Sequence, residues 1–338
     1  MRKLVTIQEI TSIHPIANAD RLETAKVLGW NIVVGKNEFE PGDKIVFFEI
    51  DSLLPETDPV FEKFQARSQK TVFVDGEEIR GHVVSTMKLR GVISQGLVMA
   101  LSDFNIDPDT EIGTEVTDLL GVVKWEEAIP VSSDIVGKFD SRFAPKSDAI
   151  RVQSLIENWD EIKQMDWEIT VKADGTSTTL INDDGKVRIF SRNWEISEDS
   201  TAFAVAKETG LIDEITKHTG MAVQFELVGP GIQSNRLKLS KLTPLVFAVW
   251  DRGQKLKREE WPELMLENAV PLLGDEWRPQ GTVEEMIEKV SGLRGSITKN
   301  VLDEGIVFHT VGDNLPVWMD RNANFKIINN KFLIKHSI

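Results

Sequence analysis

Five short alternating or apolar stretches, 4–7, 31–34, 44–49, 71–74 and 96–100, occupy the first part of the chain, and turn signals such as Pro41-Gly42-Asp43 and Asp75-Gly76 separate them. Strands this short need neighbours to bury a face, and five at such close spacing fit a small closed barrel of the OB type. From Trp167 onward the pattern changes, and strand candidates mix with helical spacings at 201–218, 261–268 and 283–290. The expected fold class is therefore α+β. It comprises an OB-fold β-barrel over 1–120, a weakly periodic linker over 121–147 holding Pro130, Gly137 and Pro145, and an antiparallel-sheet domain with flanking helices over 148–338.

Composition removes several kinds of chemistry. The 338 residues include no cysteine, which rules out disulfides, thiolate nucleophiles and cysteine-ligated zinc. The five histidines, His14, His82, His218, His309 and His336, show no metal-ligand spacing and are expected to be structural or exposed. A net charge of −15 argues against holding nucleic acid by bulk electrostatics, so any such binding belongs to a local, salt-sensitive patch. No apolar run is long enough to span a bilayer and no leader pattern opens the chain. A cytoplasmic monomer is expected.

The stretch with most chemical content is 168–177. Alternation puts Glu168, Thr170 and Lys172 on one face of a strand that runs into Asp174-Gly175. A lysine at the end of a rigid element, with a carboxylate two residues on, suits a nucleophile held near a phosphate and a metal. Alone, Lys-x-Asp-Gly is more often a solvated turn. The 181–186 stretch reads as a hairpin turn between the lysine strand and a strand at 187–192. Residues 148–165 read as a helix with Arg151 in its first turn, and 221–228 as a strand with Met221, Val223, Phe225 and Leu227 facing opposite to Gln224 and Glu226. Taken singly, Glu226 and Glu304 read as solvent-facing carboxylates, and Phe247 and Trp250 as core.

In order and spacing, Lys172-Ala173-Asp174-Gly175, Ser191-Arg192-Asn193, Phe225-Glu226-Leu227-Val228-Gly229, Val246-Phe247-Ala248-Val249-Trp250-Asp251, Asp303-Glu304-Gly305-Ile306-Val307 and Phe325-Lys326 resemble the motifs of the covalent nucleotidyltransferases. Within these ATP-grasp-like ligases the likeness is strongest to the fifth RNA ligase family, in which an OB domain precedes the catalytic domain. It spans nearly the whole chain. His14-Pro15 with 17–22, and 88–96, also resemble tRNA-binding OB modules. The departure is Ile328, where many ligases carry a second lysine, which raises Lys331 as a substitute.

The resemblance implies an ATP-dependent RNA ligase that joins a 3′-hydroxyl to a 5′-phosphate, at nicks in duplexes, through lysyl-AMP and an adenylylated 5′ end. It implies Lys172, Lys326, Glu304 and Glu226 as catalytic, and Arg151, Arg192, Lys326 and Lys331 on the ATP phosphates. Phe247, Val307, Val171, Gly175 and Glu226 would enclose adenine and ribose, with Trp250 in reserve. Asp174, Glu226 and Glu304 would hold Mg2+ or Mn2+, in part through waters, and Lys88 and Arg90 would touch the RNA. Lys172 must lose its proton to attack, so burial and a neighbouring cation, Lys326, are expected to favour the neutral amine. The rivals are a DNA ligase, a capping-type guanylyltransferase, and a nucleic-acid-binding protein without catalysis.

Overall fold

A computed structural model describes residues 3–65, 69–74, 77–125, 135–311, 316, 318–319 and 324–336. The expected Asp75-Gly76 turn and Pro130 lie outside them. The described chain forms two compact units, one drawn from 3–125, 152–159 and 333–336, the other from 135–151 and within 160–332. Both 152–159 and 333–336 fall in the sequence span expected to form the catalytic domain. Among the described residues no helix is long and apolar enough to cross a membrane.

The first unit is built on Lys44–Phe48, which pairs antiparallel with Val5–Glu9 on one side and Leu97–Ala100 on the other. Its unbroken apolar run follows from burial on both faces. Val46 and Phe48 enter one core with Leu4, Ile7 and Phe61, while Ile45 and Phe47 enter another with Trp30, Ile32 and Val98. Ser12–Pro15, Leu22–Val27 and Trp30–Gly35 form a meander, and Ser52–Pro55 and Glu77–Val83 extend a further sheet. Several of these strands escape a reading of the sequence because charge interrupts their apolar residues. At the Met87–Leu89/Val92–Ser94 hairpin, Arg90 and Gly91 take φ of 49° and 88°, a type I′ turn that leaves Lys88 and Arg90 exposed.

The second unit holds two sheets. The lysine strand Trp167–Lys172 pairs antiparallel with Gly305–Thr310, which pairs with Asn324–Ile328, which takes Ile150–Arg151 in parallel. Arg151 therefore lies in a sheet. The residues after it form 3-10 turns kinked at Leu155 and then the short helix Trp159–Ile162, so the expected helix over 148–165 does not form as one element. The other sheet has seven strands, with Thr176–Asp183, Met221–Val228 and Thr243–Asp251 at its centre. Its edge strand Ile135–Lys138 comes from the stretch read as linker. Helices Thr201–Glu208, Leu211–Thr216 and Glu263–Glu267 supply residues to the core that Met221, Val223, Phe225 and Leu227 enter together, as their alternation indicated.

The chain passes between the sheets at Ala173-Asp174-Gly175. The hairpin at Asp184-Gly185, with φ of 50° and 89°, thus joins Lys186–Ser191 to Thr176–Asp183, a separate strand, and not to the lysine strand as expected. The crossing needs a glycine for space: a Cβ on Gly175 would sit 2.6 Å from Val228 Cγ1 and closer still to the Leu227 carbonyl oxygen. Gly175→Ala should accordingly lower stability by roughly 1–3 kcal/mol, as overpacking of a fixed backbone contact does. Urea unfolding at neutral pH checks this, and an unchanged midpoint would count against so tight a crossing.

Candidate active site

Opposed residues in antiparallel strands share a face. Thr170 opposes Val307, Val307 opposes Lys326, and Lys326 aligns with Arg151 in the parallel pair. One row across the four-stranded sheet thus carries Thr170, Val307, Lys326 and Arg151, with Lys172 two residues beyond Thr170. From the seven-stranded sheet come Glu226, opposite Ser177, and Phe247. The pairing of Met221–Val228 with Thr243–Asp251 skips Phe247: Gln224 faces Ala248 and Phe225 faces Val246. Phe247 is the extra residue of a β-bulge, a device that re-aims a side chain beside a site.

These elements line one open cavity. Lys172, Arg192, Glu226 and Lys326 line it with charge. Val171, Leu245, Phe247, Val270 and Val307 line it with apolar surface, and Ser147, Asp148 and Ala149 close part of the wall. Arg192 follows the strand Lys186–Ser191, whose Arg188 fork grips Glu195 at 2.9 and 2.6 Å and Asp140 at 2.9 Å, fixing the hairpin that presents it.

Charge is concentrated around the amine. Lys172 Nζ donates to Glu304 Oε2 at 2.5 Å. Burial pulls the Lys172 pKa down, but the Glu304, Glu226 and Asp174 carboxylates outweigh it, and the amine ends above its ordinary value. It rests as an ammonium paired to Glu304, not as the neutral amine expected from a neighbouring Lys326. Burial, with Glu304 nearby, raises the Glu226 carboxyl to about 7 against the pull of Lys172. Burial and Glu304 likewise raise Asp174 to about 6, against Arg236 and Lys172. Arg236 Nη1 lies 3.0 and 3.2 Å from the two Asp174 oxygens.

The structure thus gathers Lys172, Arg192, Glu226, Lys326, Phe247, Val307 and Val171 around one cavity. Glu304 joins through its bond to Lys172. Arg151, buried at 7 % exposure, Asp174 and Gly175 stand beside that group without lining the cavity. Trp250 is core: it is buried and donates Nε1 to Gln224 Oε1 at 2.9 Å. Lys331 is exposed in the first turn of Asn330–His336, and Ile328 is buried, so Lys331 does not occupy the missing lysine's place at the cavity. Among the described residues no three His, Asp or Glu side chains converge as direct metal ligands. The carboxylate set suits a hard, hydrated divalent cation bound through its waters.

Comparison with known proteins agrees with this geometry. Residues 4–101 match an OB-fold domain family and residues 165–328 match the RNA ligase family. No curated protein sequence matches. A solved structure of a Naegleria gruberi RNA ligase glutamate-to-alanine variant with AMP and Mn is similar at TM-score 0.84 and 33% identity, over 99% of each chain. The same ligase with PPi is similar at TM-score 0.84 and 33% identity, over 100% of this chain and 99% of that one. A lysine-to-alanine variant of it with ATP and Mn gives TM-score 0.82 at 33% identity, over 99% and 98%. The chain belongs to the RNA ligase family.

In this RNA ligase two residues at the site had no motif to announce them. Arg236 is one. The other is His309, expected to be structural or exposed: it is buried, lines the cavity, and its Nε2 lies 3.1 Å from Thr170 Oγ1. Its Nδ1 lies 3.5 Å from Lys255 Nζ. Burial, with Lys255 and Arg258 nearby, holds the imidazole well below the ordinary histidine value, and burial brings Lys255 down to about 8. A histidine depressed in the fold is protonated first in the unfolded chain, so its contribution to stability is lost as pH falls below about 6.5. The loss has a slope of about 1.4 kcal/mol per pH unit. About half of the unfolded imidazoles already carry the proton at pH 6.5, so the slope is reached only below it, and His309→Asn should flatten the fall in stability of the RNA ligase between pH 6.5 and 5.5 by about 1 kcal/mol. Urea titrations at the two pH values measure it, and parallel curves for both proteins would refute it.

Proposed function

We propose that this RNA ligase uses ATP to adenylate Lys172, transfers the AMP to the 5′-phosphate of an RNA strand, and seals that end to an adjacent 3′-hydroxyl at a nick. The observation that carries the reading is one cavity lined both by apolar side chains, Phe247 and Val307 among them, and by the charged groups of Lys172, Arg192, Glu226 and Lys326. A nucleotide asks for both kinds of lining, apolar for its base and charged for its phosphates. The similar Naegleria gruberi structures hold AMP or ATP with Mn, which supports ATP and a divalent metal as what the cavity takes.

In the first step the Lys172 lone pair attacks the α-phosphorus, the bond to the bridging oxygen breaks, and pyrophosphate leaves. Glu304, bonded to the amine, is placed to take its proton. Lys326 and Arg192 bear on the phosphates, with Arg151 in line with Lys326 for the leaving group. Phe247 and Val307 hold adenine, and Glu226 the ribose. Asp174, Glu226 and Glu304 are the carboxylates that would hold a divalent cation. A divalent cation there would offset the carboxylate field that keeps Lys172 charged and would screen the α-phosphate. In the second step a 5′-phosphate oxygen displaces Lys172 from AMP, and in the third the 3′-hydroxyl oxygen displaces AMP.

With α-labelled ATP and Mn2+ but no RNA, the wild type should acquire acid-labile label and Lys172→Ala none. Absence of label on the wild type would remove the ligase mechanism. The barrel's role is read from exposed Lys88 and Arg90 as a clamp on the duplex near the nick. Lys88→Ala/Arg90→Ala in the full chain should keep the labelling yield and slow the sealing of a nicked duplex by roughly tenfold at low RNA concentration. Full sealing by this variant would leave the barrel without that function.

A further inference from the structure

The connection between Met221–Val228 and Thr243–Asp251, residues 229–242, is a hairpin loop far longer than the roughly two to five residues that such strands need. Long loops in compact domains commonly bind or gate. This one begins three residues after Glu226, and it is held firmly. Asn235 brackets it, donating Nδ2 to the Leu239 carbonyl at 2.9 Å and accepting the Leu239 N–H at Oδ1 at 3.0 Å. Leu237, 1 % exposed, packs with Ala173 and Val228. Arg236 is bonded to both oxygens of Asp174. The loop is thereby tied directly to the turn that follows Lys172.

Its backbone is strained as well as anchored. Gln233, Ser234, Asn235 and Lys238 take φ of 45°, 56°, 47° and 56°, the left-handed region that favours glycine. Strain of this kind gathers at binding and catalytic elements, where surrounding contacts hold it. Charge sets the loop apart too. In a chain with 54 acidic residues, none lies between Glu226 and Asp251, whereas Arg236, Lys238 and Lys241 all fall in the loop. Arg236 is engaged by Asp174; Lys238 and Lys241 are exposed. Lys238 lies two residues from Arg236, within about 7 Å along an extended chain.

We propose that residues 229–242 grip the sugar–phosphate backbone of the RNA strand at the ligation site through Lys238 and Lys241, with Arg236 and Leu237 fixing that grip to the Lys172 turn. The proposal rests on the ligase reading and names where that reading's RNA is held. Contacts from lysines to phosphates carry no sequence preference, which suits an enzyme that joins ends of any sequence. A cationic loop in a chain of net charge −15 also restricts RNA attraction to the place where its ends must meet.

The test uses the full-length protein and two assays, lysine labelling with ATP and no RNA, and sealing of a nicked duplex across a salt series. Lys238→Ala/Lys241→Ala should label within about twofold of wild type and seal at least about fivefold more slowly at subsaturating RNA. The slope of log binding constant against log salt should shrink by about one for each phosphate that these lysines no longer neutralise. Lys238→Glu/Lys241→Glu should seal more slowly still. Ser240→Ala, an uncharged exposed position in the same loop, should change neither assay. Unchanged sealing and salt slope in the lysine variants would overturn the proposal. So would labelling that falls in step with sealing, since the loop would then serve ATP or the fold, and so would a Ser240→Ala defect equal to theirs. Failure of the wild type to label at all is a different result, which removes the ligase reading itself.

Discussion

The Lys172–Glu304 ion pair, at 2.5 Å, is where the two sheets of the second unit and the chemistry of the cavity meet. Lys172 ends a strand of one sheet, and within three residues the chain has entered the other. That passage succeeds only because Gly175 lets the backbone lie against Leu227 and Val228, beside the strand that carries Glu226. Glu304, just before the strand that pairs with the lysine strand, reaches the amine through that pairing, and the three-residue crossing sets the chain beside the strand of Glu226 in the other sheet. Asp174 is carried there by the crossing itself.

The consequence is a balance between two large and opposed effects. Burial alone would release the Lys172 proton, and three carboxylates retain it. Burial alone would protonate Glu226, and the Lys172 charge opposes that. Each group thus opposes part of the burial effect on the others, so the charged amine is part of what lets carboxylates crowd a shielded site. A free nucleophilic amine would leave that crowding unrelieved. The resting arrangement favours the charged form of Lys172, and on the proposed mechanism countercharge at the carboxylates would release its proton.

Much of this was legible in the sequence, for physical reasons that also explain what was not. Strand alternation fixed the faces that Lys172 and Glu226 take, as for Glu226 against Phe225 and Leu227, while the expected roles of Glu226, Glu304 and Asp174 came only from the family likeness. The lysine strand could be read, but its partner could not. A hairpin at Asp184-Gly185 is visible locally, while the transfer between sheets at Gly175 depends on a contact with residues 227–228 that no local pattern encodes. Phe247 was legible only through family likeness, since its direction comes from a bulge. Trp250 shows the converse, an aromatic beside the motif that the core claims. Arg151 was misplaced because the spacing at 150, 155 and 162 imitates a helix that tertiary packing breaks at Leu155. His309 and Arg236 carry no motif at all, and their burial among Thr170, Lys255 and Asp174 is a property of the assembled sheets.

Net charge sets a last constraint. A chain of net charge −15 repels a polyanion on balance, and at physiological salt that repulsion is felt within about 8 Å. Nonspecific RNA affinity is therefore low wherever cations are not grouped. For an enzyme that must leave the strand once the phosphodiester has formed, weak general binding speeds release and local cations provide capture. The proposed covalent first step fits the same logic: lysine adenylation would draw on the cavity and its own residues, and RNA would need to be held only for the two transfers at phosphorus. An acidic body that holds RNA only locally and a cavity that takes ATP before any RNA arrives would both follow from separating activation from joining.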